Sequence, residues 1–274
     1  MDTNSRFKRE LYKLYPSKLY WLGTRFSPIY TPKGPGPFPI TVYFHGGGWV
    51  IANLNTYDSS ARAICNAANT VVVSVAYRQS PETTYPGPVN DAYRATQWAF
   101  QNAATLNGDA KRIAVAGENT GGNMATVVCH MARDKGGSMP IHQLLIYPVA
   151  QLASLDTPSY QTYANAQPLS KASAAWFFAR YLANSNDAQN SYASPLLATD
   201  FSKLPPATII GAEIDPLQSE GMDYANKLKG ANIPVTYQLY TGVTHEFFGM
   251  GAVLDEAKQA VALAGQGLRS AFGA

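Results

Sequence analysis

The chain reads as an α/β protein built on a mostly parallel sheet, and three observations lead there. Six short, nearly all-apolar and β-branched runs recur along it: Ile40–Phe44, Val71–Ala76, Ile113–Gly117, Gln143–Tyr147, Ala207–Gly211 and Val235–Tyr240. Between most of them lie segments with helical apolar spacing. The chain has 274 residues, 46% of them hydrophobic, enough for one large domain with a substantial core. Strands that are apolar throughout need cover on both faces, and helices alternating with parallel strands supply it.

The first 25 residues are Tyr-rich and basic, and are expected to form an N-terminal cap segment. Ile40–Phe44 and Val71–Ala76 open the sheet, and a helix is predicted over Val89–Ala104, with Trp98 and Phe100 among its large apolar residues. Ile113–Gly117 leads into a helix over Gly122–Arg133, and Gln143–Tyr147 follows. From about Ala150 to Pro206 the alternation stops; the composition turns to Ser, Ala, Tyr and Asn, with one aromatic helix predicted at Ser170–Leu182. An insertion of that length between sheet strands belongs over the carboxyl ends of the strands, where α/β proteins bind ligands, so a lid is expected. Ala207–Gly211, a helix at Leu217–Leu228, Val235–Tyr240 and a helix at Ala252–Phe272 complete the alternation. The expected organisation is a core of residues 26–149 and 207–274, a cap insertion of 150–206 and the cap segment of 1–25.

Composition excludes several classes of function. Charged residues are 14% of the chain, below the usual value of about 25%, and the net charge is +3. No Lys/Arg cluster interleaved with aromatics occurs, so neither nucleic acid nor an anionic membrane surface is an expected partner. No apolar run approaches the roughly 18 residues of a membrane span, and Met1–Arg9 holds no apolar export signal; a cytoplasmic protein is expected. Cys65 and Cys129 each lie in an apolar periodic stretch and read as buried core thiols. No His pair stands at metal-ligand spacing, and no phosphate-binding glycine motif follows a strand, so no metal or cofactor is expected.

The chemistry lies in Ile113-Ala114-Val115-Ala116-Gly117-Glu118-Asn119-Thr120-Gly121-Gly122-Asn123. A strand enters a glycine-flanked turn and leaves as a helix of small residues, the layout of a nucleophile elbow, Gly-x-Ser-x-Gly. The central residue here is Asn119. Asn accepts left-handed backbone geometry better than almost any residue but Gly, so the elbow is kept while the nucleophile is lost. A second stretch, His45-Gly46-Gly47-Gly48-Trp49, directly follows the first apolar strand, and such a loop presents backbone N–H groups to an oxyanion. Of the four histidines, His45 belongs to that loop, His130 lies late in the elbow helix and His142 precedes a strand at the wrong edge of the sheet. His245, just past the last strand, remains as the base, and Asp215 after the fifth strand is placed to orient it. The chain order 119, 215, 245 is that of nucleophile, acid and histidine in an α/β-hydrolase.

With these motifs the sequence resembles the hormone-sensitive-lipase family of α/β-hydrolase carboxylesterases. It carries that family's His-Gly-Gly-Gly-Trp as His45–Trp49, its Tyr-Arg-x-x-Pro-Glu as Tyr77–Glu82, and its Tyr-Pro…Asp-Ala as Tyr85-Pro86 and Asp91-Ala92. Its Asp-Pro-Leu and His-x-Phe motifs stand at Asp215–Leu217 and His245–Phe247. The resemblance runs from about Phe38 to the C-terminus. It implies an α/β-hydrolase fold with a small helical cap, oxyanion donors at Gly47, Gly48 and Thr120, and hydrolysis of short-chain acyl esters without a metal or cofactor. The chain departs from the family at the elbow, where Ser and Ala are replaced by Asn119 and Thr120, and fewer residues than usual precede the glycine loop, so a more open pocket mouth is expected.

An Asn carboxamide is neither basic nor a useful nucleophile, so the chain is expected to hydrolyse esters barely or not at all. Direct activation of water by His245 is the strongest route to residual activity; Thr120 as nucleophile and deamidation of Asn119 are weaker ones. The expected partner is a small-molecule ester, or a carboxylate or acyl ligand, and a homodimer is admitted. The competing reading is a non-catalytic small-molecule receptor or pseudoenzyme, since plant gibberellin receptors resemble the same family with a defective triad. Retention of His245, Asp215 and the oxyanion glycines together favours the enzyme scaffold. Trp49, Phe247 and Phe248 read equally as pocket lining or core, and Glu118 and Glu82 as buried structural carboxylates.

Overall fold

The computed structural model describes residues 18–21 and 26–274. Among them is one eight-stranded sheet with strand order β1-β2-β4-β3-β5-β6-β7-β8. The strands are β1 (Lys18–Trp21), β2 (Phe26–Tyr30), β3 (Phe38–Phe44), β4 (Val71–Ser74), β5 (Gly108–Glu118), β6 (Gln143–Ile146), β7 (Ala207–Ile214) and β8 (Val235–Thr244). β3 through β8 are mutually parallel, while β1 and β2 pair antiparallel at one edge. The six predicted strands are present, most of them longer than their apolar runs. β1 and β2 were not predicted; neither carries a clean alternation, and β2 contains Pro28. Apart from Lys18–Trp21, the segment 1–25 assigned to an N-terminal cap lies outside the described residues.

Seven α-helices are described: α1 (Asp58–Ala68), α2 (Gly87–Gln101), α3 (Thr120–Lys135), α4 (Pro158–Thr162), α5 (Lys171–Tyr181), α6 (Gln218–Gly230) and α7 (Asp255–Phe272). The period-two alternation of the strands splits the core into two layers. Ile40, Val42, Phe44, Val73, Val115 and Ile209 face α2, α3 and α6, whereas Tyr43, Val72, Ala116, Ile146 and Ile210 face α1 and α7. Cys129 on α3 and Cys65 on α1 therefore lie in opposite layers, both free and buried, and the sheet between them forbids a disulfide. α1 is the one core helix absent from the sequence expectation. Its apolar stripe (Ala61, Ile64, Cys65, Ala68) holds one large residue, Ile64, among small ones, and it has no side-chain N-cap to mark its start. The helix predicted at Val89–Ala104 stops at Gln101 and continues as a 3-10 turn, Ala103–Leu106.

Residues between β6 and β7 hold α4, α5 and two 3-10 turns, all outside the sheet. α5 starts with a capping box between Ser170 and Ser173, which satisfies two of its free N-terminal donors. Its Tyr181 ring stacks on Trp49 at 3.8 Å and an interplanar angle of 3°, and the Tyr181 carbonyl accepts the Tyr85 N–H at 2.7 Å. The chain leaves β3 for β4 on one side and returns to β5 on the other, so the carboxyl ends of β3 and β5 form a crevice.

Candidate active site

β5 ends at Glu118 and α3 begins at Thr120, which leaves Asn119 alone in the turn at φ 55° and ψ −116°. The glycines around it are required by contact. A Cβ on Gly117 would sit 2.2 Å from the backbone of Gly121, and one on Gly121 would sit 1.9 Å from the Phe44 carbonyl oxygen. The turn is tied on both sides: the Asn119 N–H donates to Ile146 O at 2.9 Å, and Asn119 O accepts from Val149 N at 3.1 Å and Asn123 N at 3.2 Å.

The glycine loop follows β3. Gly47, Gly48 and Trp49 all have positive φ (97°, 64° and 61°), a run that the two glycines make affordable. Tyr77 OH donates to the His45 carbonyl at 2.9 Å and lies 3.3 Å from the Gly46 carbonyl, and its ring stacks on that of His45 at 4.4 Å. Gly47 O accepts from Val50 N and Ile51 N. A trans peptide points its N–H opposite to its carbonyl, so tying down the Gly46 and Gly47 carbonyls turns the N–H groups of Gly47 and Gly48 the other way. The loop abuts the elbow: a Cβ on Gly46 would lie 2.4 Å from Tyr57 OH and 3.1 Å from Asn119 Cβ. The Tyr-Arg and Asp-Ala motifs also find a physical role. Arg78 grips Asp91 with two side-chain hydrogen bonds (2.8 and 2.7 Å) and one from its backbone N–H, tying the segment after β4 to α2.

Asp215 and His245 lie one residue beyond β7 and β8. His245 Nδ1 is 2.7 Å from Asp215 Oδ2, Asp215 Oδ1 accepts the Leu217 N–H at 2.9 Å, and His245 Nε2 is 2.6 Å from Asn119 Nδ2. Asn119, His245 and Asp215 thus form one hydrogen-bonded series, all nearly closed to solvent (5%, 3% and 0% exposed). Burial pulls the imidazole pKa down, but the charge and hydrogen bond of Asp215, with Glu246 and Glu118 further off, outweigh it and leave a net rise. The other histidines behave differently: burial pushes His45, His130 and His142 down to about 4, and none joins this series.

Several neighbours were not singled out in the sequence. Phe177 of α5 lies against the glycine loop, where a Cβ on Gly48 would fall 2.2 Å from its ring. Tyr147, after β6, puts its ring 4.6 Å from that of His245. Glu246 lies 3.5 Å from His245 Nε2 through Oε1, which also accepts from Tyr57 OH at 2.7 Å. Only its place beside His245 marked Glu246 in the sequence. Glu118 is buried as expected and accepts from Tyr43 OH and Tyr147 OH, both at 2.5 Å. Burial and the Glu246 charge raise its pKa to about 7 against the pull of those donors and Ser60. The expectation for Glu82 is corrected: it is exposed, because it stands on the turn before α2 rather than under it. Trp49, Phe247 and Phe248 are fully buried. No group of His, Cys, Asp or Glu among the described residues is placed to hold a metal. Two surface concavities lie away from this series, one lined by Leu196–Phe201 and α6, the other by His142 and Thr208 at the amino edge of the sheet.

Residues 41–249 match the family model described as alpha/beta hydrolase fold. The chain belongs to that family. Among curated relatives, the carboxylic ester hydrolase LipN of Mycobacterium tuberculosis is 39% identical over 227 residues, 81% of this chain and 60% of LipN. The chain thus spans less than two thirds of that relative. Carboxylesterase NlhH of the same organism is 37% identical over 256 residues, 92% of this chain and 76% of NlhH. The hyperthermophilic esterase of the archaeon Pyrobaculum calidifontis superposes with a TM-score of 0.90 at 36% identity, covering 98% of this chain and 94% of its own. The resemblance drawn from the motifs therefore holds, and this is a hormone-sensitive-lipase-type α/β-hydrolase with the scaffold of a carboxylesterase. No described helix is long and apolar enough to cross a membrane.

Proposed function

We propose that this chain is a carboxylic ester hydrolase for short-chain acyl esters whose acyl-transfer site has Asn119 at the nucleophile position, leaving it nearly inactive as it stands. The observation that carries the reading is the series Asn119–His245–Asp215, with Nε2 2.6 Å from the Asn119 amide and Nδ1 2.7 Å from the carboxylate. With a serine at 119, His245 takes the hydroxyl proton, oriented by Asp215, and the oxygen attacks the ester carbonyl. The N–H groups of Gly47, Gly48 and Thr120 receive the oxyanion. The alcohol leaves with the proton from Nε2, and water then hydrolyses the acyl-enzyme by the same route. The carboxamide of Asn119 performs none of the proton transfer or attack. What remains is binding and oxyanion stabilisation, typically about 10³–10⁴-fold over water in such triads.

The ring of Phe177 against Gly48 narrows the space beside the glycine loop and supports a small acyl group. The test is hydrolysis of p-nitrophenyl esters from acetate to decanoate by the chain and by Asn119→Ser. The expected result is a rise of at least about 10³-fold in kcat/KM for the variant, greatest for the shortest esters. Ordinary esterase turnover by the unaltered chain, or none by Asn119→Ser, sinks the reading.

A further inference from the structure

The imidazole of His245 is flanked by carboxylates at both nitrogens. Asp215 takes Nδ1 at 2.7 Å, while Glu246 Oε1 stands 3.5 Å from Nε2, the nitrogen that faces Asn119. Three features show that Glu246 is held in place there. Its backbone lies in the left-handed region (φ 68°, ψ 9°), an uncommon state for a non-glycine residue that turns the side chain back toward the crevice. Tyr57 OH donates to the same Oε1 at 2.7 Å, and Tyr57 is itself buried against Gly46 of the glycine loop. Glu246 also keeps 29% of its side chain exposed, so the carboxylate joins the closed site to solvent.

A spacing of 3.5 Å is too long for a direct hydrogen bond but lets one water molecule touch both atoms. A carboxylate oxygen accepts more than one hydrogen bond, so Oε1 serves Tyr57 and a water together. We propose that Glu246, braced by Tyr57, is the positioning residue for the hydrolytic water: it accepts one water proton in a hydrogen bond while His245 Nε2 takes the other. This rests on the acyl-transfer reading above. In the serine-containing form, the water oxygen bonds to the acyl carbon and Nε2 receives its proton. The bond from the acyl carbon to the serine oxygen then breaks, and that oxygen takes the proton back from Nε2. Glu246 holds its hydrogen bond throughout and is not consumed. The other ionisable groups around the imidazole serve different ends. Asp215 orients Nδ1, Glu118 is engaged by Tyr43 and Tyr147, and the Tyr147 ring packs on the imidazole.

The experiment compares Asn119→Ser with Asn119→Ser/Glu246→Gln, Asn119→Ser/Glu246→Ala and Asn119→Ser/Tyr57→Phe. Each is mixed rapidly with p-nitrophenyl acetate, and the decay of the acyl-enzyme is followed by intact mass. The amplitude of p-nitrophenol release in the first turnover counts intact sites, so a folding defect is seen separately. Expected is an unchanged acylation rate, with acyl-enzyme decay slowed about tenfold or more in the Glu246 variants and by less in the Tyr57 variant. Hydroxylamine, a stronger nucleophile than water, should capture a larger share of the acyl group in the Glu246 variants. Equal slowing of acylation and decay, or no slowing of decay, overturns the assignment of Glu246 alone. No acyl-enzyme from Asn119→Ser by itself overturns the acyl-transfer reading along with it.

Discussion

Asn119 Nδ2 lies 2.6 Å from His245 Nε2, and this contact ties the orientation of the amide to the charge of the imidazole. Asp215 accepts at Nδ1, so the neutral ring must accept at Nε2, and the Asn119 NH₂ group is the donor that suits it. An imidazolium would instead need the amide oxygen, reached by turning the carboxamide over. Asn119 thus satisfies either state of the ring without giving up a proton.

Replacing Asn119 by Asp removes that choice. A carboxylate at 119 accepts only, so it favours the imidazolium and should raise the His245 pKa further, read from the ring resonances by NMR titration. An unmoved titration means that the side chain at 119 does not face Nε2 in solution.

The elbow makes a sharp prediction about stability. Gly121→Ala drives a Cβ to 1.9 Å from the Phe44 carbonyl oxygen, a backbone atom in a fully buried strand. It should cost about 1–3 kcal/mol or more in denaturant unfolding. Gly230, the last residue of α6, has open space where its Cβ would go, so Gly230→Ala should be neutral or stabilising by up to about 1 kcal/mol. Equal effects at the two positions would mean that the packing of strand, loop and elbow helix is looser than described.

Glu118 gives a pH signature. Its folded pKa is raised to about 7 from an ordinary 4.5, so between those values the folded protein holds a proton that the unfolded chain has lost. Its contribution is full below about pH 4.5 and is lost as the pH rises toward 7. His45, His130 and His142, pushed down to about 4, act in the opposite sense, losing stability as the pH falls below the ordinary value of 6.5. The total curve mixes both signs, and the difference between the chain and Glu118→Gln isolates the carboxyl. That difference, from urea unfolding at a series of pH values, should shift against the unaltered chain as the pH climbs from 4.5 to 7 and then level off. A flat difference would show that Glu118 ionises at its ordinary value when folded.

How much was legible in the sequence follows the length scale of each interaction. The parallel strands were legible because burial on both faces demands unbroken apolar runs. The elbow and glycine loop were legible because the turn brings residue 117 onto the backbone of 121, four positions on, and the backbone at 47 and 48 is left-handed, which marks both stretches with glycine; Gly121 answers instead to the distant Phe44 carbonyl. α1 was hidden by its mostly small apolar residues and uncapped start, and β2 by a proline tolerated only near a sheet edge. Glu82 was misplaced because a motif says nothing about which side of a turn faces water.

The sequence by itself determined the strand–helix alternation, put Asn119 at the elbow, and singled out His245 and Asp215, which the fold brings into one hydrogen-bonded series with it. Each of those follows from residue type or from interactions local in the chain. Tertiary structure alone decided that Glu246, held by Tyr57, stands 3.5 Å from the far nitrogen of His245, that Phe177 lies on Gly48, and that Tyr43 and Tyr147 meet on Glu118. Tyr57 and Glu246 stand 189 positions apart, and only the assembled sheet, with helices packed on both faces, brings such groups within hydrogen-bonding distance.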